Sequence, residues 1–342
     1  MSTPKDGPLG KLQEKYIRLR ITNMAEVDIG VFEMDFNTTF GLFVLNHRKQ
    51  VYLRYGARND AGAETFLSIP SVAIALQRGL ILHERWKAGS FTPPPAGKSK
   101  MSQTFPNVLK TVRENKCVHC HQVAEGQAVE IFALADFDKK TSPWIFPDPA
   151  KLGLKLKVDD PIVVEHSTGA AAKSGIRNGE EILKVDGKTV STFADIQYVL
   201  HHLPRDRKEL TLTTNQGPRK IALPSHWRVT DLNRRSIGHK MEPFPGFWGK
   251  PLTIGEKKKL GLPTESFATR ATKFWVITPG KQAGMREGDI VIAVDGASSS
   301  PLAVNAQVYI RLNYEAGDEI TVKYLREGKT REAKYTLKAK PW

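Results

Sequence analysis

The chain has 342 residues, 40% apolar and 25% charged, an ordinary folded composition too long for a single domain. Its 51 Lys and Arg against 36 Asp and Glu give a formal charge of +15, which favours an anionic partner or surface. Basic runs such as Lys257-Lys258-Lys259 carry no nucleic-acid-binding signature, and no stretch of 18 apolar residues occurs, so neither nucleic acid nor a transmembrane segment is expected.

Met1 to Leu12 has no apolar h-region, so no signal peptide is expected in this chain. Leu42, Val44, Val51, Leu53 and Tyr55 alternate around the polar turn Asn46-His47-Arg48-Lys49, which predicts a hairpin. Val72, Leu76 and Leu80 recur every four residues, predicting a helix from about Ser71 to Arg85. Pro93-Pro94-Pro95 and the polar stretch to Ser102 read as a linker. Phe105, Val108, Leu109 and Val112 predict a second helix leading into Cys117, with another from Ala124 to Ala135.

Cys117-Val118-His119-Cys120-His121 holds the only two cysteines, and a histidine follows the second directly. The string resembles the attachment site of c-type cytochromes. That resemblance implies one covalent haem c, with thioethers to Cys117 and Cys120 and with His121 as the proximal iron ligand. Two other readings remain: a redox dithiol with Cys117 as nucleophile, and a metal site short of ligands beside His119. A helix ahead of the cysteines argues against a helix N-terminus at the motif, where a thiolate would be stabilised. Met101, Met241, His83, His166 and His239 are the residues on offer for a sixth iron position.

The segment from Ser174 to Gly187 aligns without gaps to Ala283 to Gly296, with six of fourteen positions identical. A repeat 109 residues apart indicates duplicated domains. Both copies resemble bacterial PDZ domains, in which a small-Gly-apolar stretch leads to a strand ending Val-Asp-Gly. The resemblance extends to Leu152-Gly153-Leu154 and Leu260-Gly261-Leu262, similar to that family's carboxylate-binding loop, and to Ile196, Val199 and Leu200 on a groove-wall helix. It implies binding of an extended or C-terminal peptide of a partner protein by strand addition. The alternative is that Gly153 and Gly261 only permit tight turns, and Pro263 removes a donor from the second copy. Between the copies, Ser225 to Pro251 combines Trp227, Phe244, Phe247 and Trp248 with Arg228, Arg234, Arg235 and Lys240.

Phe40 to Gly56 resembles the central hairpin of thioredoxin-fold proteins, although residues 1–116 contain no cysteine. Taken together, the chain is similar to a bacterial family of thioredoxin-like, tandem-PDZ (seleno)proteins. The expected fold is α+β and multidomain: 1–92 thioredoxin-like without redox cysteines, 93–145 a linker and helical C-x-x-C-H segment, 146–224 a first PDZ-like domain, 225–342 an aromatic and basic linker with a second. The expected function is a periplasmic or otherwise extracytoplasmic monohaem protein for electron transfer or haem-based sensing, with a redox partner protein. Thiol–disulfide oxidoreduction by Cys117 and Cys120, or a non-enzymatic PDZ adaptor, are the alternatives. No H-E-x-x-H or G-x-S-x-G string supports a hydrolase.

Overall fold

The computed structural model describes residues 7–95, 97–274 and 278–339. It is a mixed α/β chain with four small antiparallel sheets among those residues. Two compact units divide it: residues 1–127 with 144–230, and residues 128–143 with 231–342.

In the first unit, a short helix α1 (Pro8–Gln13) precedes the hairpin of β1 (Leu42–Leu45) and β2 (Val51–Tyr55). Val44 faces Leu53 across it, and the Asn46 side chain accepts from the Arg48 and Gln50 N–H groups to close the turn. The helix α2 (Ile69–Lys87) starts at a Ser68 capping box with Pro70 in its first turn. Its Val72, Ala75, Leu76 and Leu82 share a core with Leu53 and Tyr55.

Over 1–92 the described residues form one sheet, the two-stranded hairpin of β1 and β2. Ile17, Leu19 and Ile21 have the period of a strand but no partner edge, and remain 95%, 90% and 58% exposed.

Residues 24–36 run irregularly across α3 (Pro106–Arg113) and the start of α4 (Cys120–Phe132). Ile29, Met34, Phe36, Phe105, Val108, Val118 and Val123 make this core. Gly126 is required there, since a β-carbon would come 2.4 Å from the Phe105 ring.

The first repeat pairs β3 (Leu154–Leu156) with β4 (Val164–Ser167), then places α5 (Gly169–Lys173) before β5 (Ile182–Val185) and β6 (Lys188–Thr189). The helix α6 (Phe193–His201) and the hairpin of β7 (Glu209–Thr214) and β8 (Gly217–Ala222) complete it.

The second unit carries α7 (Ser236–Lys240), β9 (Trp248–Pro251), α8 (Ile254–Lys259), β10 (Thr269–Lys273) and α9 (Pro279–Gln282). After these come β11 (Ile290–Val294), α10 (Ala306–Asn313), β12 (Glu319–Arg326) and β13 (Lys329–Thr336). The sheet order is β13-β12-β11-β10-β9.

The sequence repeat is a structural one. Asp186-Gly187 and Asp295-Gly296 all have positive φ, and each aspartate accepts from a later strand, at Thr211 of β7 or Thr321 of β12. Likewise, Gly179 donates to Val164 as Gly288 does to Ala271. One strand differs. Beside β4 lies β3, which follows Gly153, whereas beside β10 lies β9, which precedes α8.

Candidate functional site

The C-x-x-C-H segment sits differently from the expectation that a preceding helix keeps it from a helix start. The helix α3 ends at Arg113, and Cys120 is the first residue of α4. Gln122 explains this start: its Oε1 accepts from the His119 N–H at 2.8 Å, half of a capping box. Upstream, Val118 is buried and held from both sides, its N–H donating to Asn23 Oδ1 and its C=O accepting from Met24 N.

Cys117 is therefore exposed and non-helical, while Cys120 is half-buried against the core of Val108, Val118 and Val123. Burial raises the Cys120 thiol above its ordinary value. His119 and His121 are both exposed, and their rings lie nearly parallel with centroids 5.8 Å apart. Among the described residues no group of three or more His, Cys, Asp or Glu forms a metal cluster. Of the residues considered for a sixth position, His83 is engaged by the Tyr52 hydroxyl at 3.0 Å, and Met241 is buried.

The residues expected to bind peptide in the first repeat come together, but inside a core. Leu152, Leu154, Ile196, Val199 and Leu200 are all buried, in one cluster with Ala57. The segment after β2 lies against this repeat along its length. The Arg54 N–H donates to Asp195 Oδ1 at 2.9 Å, and Thr192 Oγ1 donates to the Arg54 carbonyl. Gln197 Nε2 donates to the Arg58 and Phe146 carbonyls, Asp60 pairs with Lys151, Phe66 stacks on Phe193 at 4.1 Å, and Ser68 donates to Asp159. In addition, Arg78 pairs with Asp160 and Glu181.

Asp195 is a buried carboxyl group in this seam. Its partners, Arg54 and the N–H groups of Arg54 and Ser191, favour the carboxylate, but burial outweighs them and pushes the carboxyl up to about 6. None of these long-range pairs leaves a periodic trace in the sequence.

In the second repeat, Leu260 is exposed and Gly261 has φ +66°. The loop donors are already used: Leu260, Gly261 and Leu262 N–H groups donate to the Glu256, Lys258 and Lys257 carbonyls at the end of α8. A separate polar concavity of about 450 Å³ in the first repeat, lined by Arg177, Asn178, Asn215, Gln216 and Arg219, includes none of the expected site residues.

No family model and no curated protein sequence matches this chain. Among solved structures, the HtrA-type protease AlgW with a decapeptide is 14% identical over 48% of this chain and 55% of its own, with a TM-score of 0.25. An aminopeptidase N family protein from Idiomarina loihiensis is 17% identical over 29% of this chain and 14% of its own, TM-score 0.22. The photosystem II D1 C-terminal processing protease is 20% identical over 29% and 24%, TM-score 0.22. The chain thus spans little more than half of these proteins at most, and likenesses at this level carry no functional argument.

Proposed function

We propose that this chain is an extracytoplasmic protein carrying one covalent haem c at Cys117-Val118-His119-Cys120-His121, for electron transfer or haem-based sensing, with PDZ-like repeats that recruit an extended or C-terminal peptide of a partner. The observation that carries the reading is the accessibility of the donor set. Two thiols and an imidazole lie within five residues, with Cys117 and His121 exposed. The exposed apolar side chains of Leu19 and Ile21 lead directly into Asn23, which is bonded to the motif, so apolar cover is at hand.

These residues fit the group: Cys117 and Cys120 would hold it by thioethers and His121 would take the iron. The haem, when bound, supplies one-electron chemistry. The chain's own part is to fix the loop, through Val118 anchored by Asn23 and Met24, and to start α4 beneath it. Recruitment by the first repeat requires the Gly56 to Ser68 segment to move aside, because Ala57 and Phe66 pack in the same core as Leu154 and Ile196. Chain produced with haem-attachment machinery is expected to keep its pigment after acid and organic extraction. Colourless protein after that treatment refutes the haem reading.

A second reading is favoured by the exposed Cys117 standing three residues ahead of Cys120, which opens α4, so that two thiols meet at one helix start. The exposed Cys117 thiolate would attack a substrate disulfide, forming a mixed disulfide and releasing one substrate thiolate. Cys120 would then displace the second thiolate, so two electrons pass to the substrate and a Cys117–Cys120 disulfide remains. That reading requires two titratable thiols on reduced chain, no visible absorbance, and loss of activity in Cys117→Ala.

A further inference from the structure

In the second repeat a charge is buried with no counter-charge among the described residues. Arg311, in the last turn of α10, is only 1% exposed, and its Nε, Nη1 and Nη2 reach no hydrogen-bond acceptor among them. The Trp248 ring lies beside it, 5.9 Å from the guanidinium carbon, and the buried Trp248 Nε1 is also without an acceptor. At that distance the ring face offers weak cation–π attraction, and it leaves the in-plane N–H donors unspent. Buried donors nearly always have partners, and a guanidinium has five N–H groups in a fixed fork.

Neutralisation does not resolve the site. Burial pushes the Arg311 guanidinium down to about 10, still well above neutral pH, so the charge persists. Neighbouring polar groups are committed elsewhere: Gln307 spans the Phe247 carbonyl and Gly249 N–H, and the Asn305 Oδ1 caps α10.

We propose that Arg311, with the Trp248 ring beside it, is the receptor for a carboxylate. One guanidinium balances one negative charge, and its parallel N–H pair matches the two oxygens of a carboxylate. A phosphate dianion would demand a second cation. Trp248 is only half-buried, so the guanidinium lies one side chain from solvent. The carboxylate comes either from a small free acid or from the C-terminus of a recruited peptide. The second source rests on the peptide-recruitment reading above, and the first does not.

Thermal unfolding of the full chain at constant ionic strength and pH 7, with sodium acetate replacing sodium chloride, tests the site alone. The transition of the second unit is expected to rise with acetate in the wild-type chain and to stay flat in Arg311→Met, which removes the charge and keeps the bulk. Trp248→Phe, which keeps the ring and loses the N–H, is expected to show a reduced rise, and it carries the comparison if Arg311→Met fails to fold. Tetrapeptides ending in leucine, as free acid and as amide, then separate the sources. A rise with the free acid and not the amide assigns the peptide terminus, and a rise with acetate alone assigns a small acid. The proposal is overturned if wild-type chain melts alike in acetate and chloride, or if the variants respond as fully as wild type.

Discussion

Asp195 brings a carboxyl group into a buried seam where three favourable partners meet it, and the balance falls to desolvation. Its folded value of about 6 stands above the ~4 of an unfolded chain, so the folded state holds the proton more tightly. Linkage then fixes the sign: the stability contributed by this proton is whole below about pH 4 and is lost as pH rises through about 6. Asp195→Asn cannot ionise and is expected to lack that decline, on the order of 2–3 kcal/mol between pH 4 and pH 7. Urea unfolding of both proteins at the two pH values measures it. Parallel pH dependences would place the Asp195 titration at the unfolded value instead.

At the scale of elements, the loop ahead of β3 shows how much a conformation costs apart from what it touches. Gly153 has φ +88°, and a β-carbon there would lie 2.0 Å from the carbonyl oxygen of Thr168, the residue between β4 and α5 whose N–H donates to the Gly153 carbonyl. Gly179 has nearly the same φ, +87°, with nothing within 4 Å of a β-carbon. Gly179→Ala is expected to cost about 1 kcal/mol, the left-handed penalty alone. Gly153→Ala adds the clash and is expected to cost about 2 kcal/mol more, read from denaturant midpoints. Equal losses would mean that the contact between Gly153 and the segment after β4 relaxes freely. The same contrast separates what was legible in the sequence from what was not. Local codes could be read: the Asn46 turn, the α2 periodicity, and Asp-Gly closing each repeat's turn, because neighbours in sequence enforce them. The start of α4 at Cys120 was misplaced because Gln122 caps it through its side chain, inside a run that periodicity alone assigns to no boundary. The packing of Ala57 and Phe66 into the first repeat joins residues far apart in sequence, and no pattern within either segment announces it.

For the molecule as a whole, the cores argue for two cooperative blocks. The front hairpin belongs with the first repeat, because Arg54, Gln197, Phe66 and Arg78 join them through buried bonds, a ring stack and paired charges. Phe247, Phe267, Val291, Ile310 and Val322 form a separate core in the second unit. Cooperative unfolding follows contiguous cores rather than sequence repeats, so the first repeat is expected to melt with the front segment and not alongside its own copy. Scanning calorimetry should resolve two transitions. Phe66→Ala removes the stack on Phe193 and is expected to lower one of them, by roughly 3 kcal/mol of stability. Phe267→Ala, fully buried under Tyr309, is expected to lower the other by a similar amount. A single transition lowered by both substitutions would make the chain one cooperative block, and the seam around Asp195 would then be one packed region among equals.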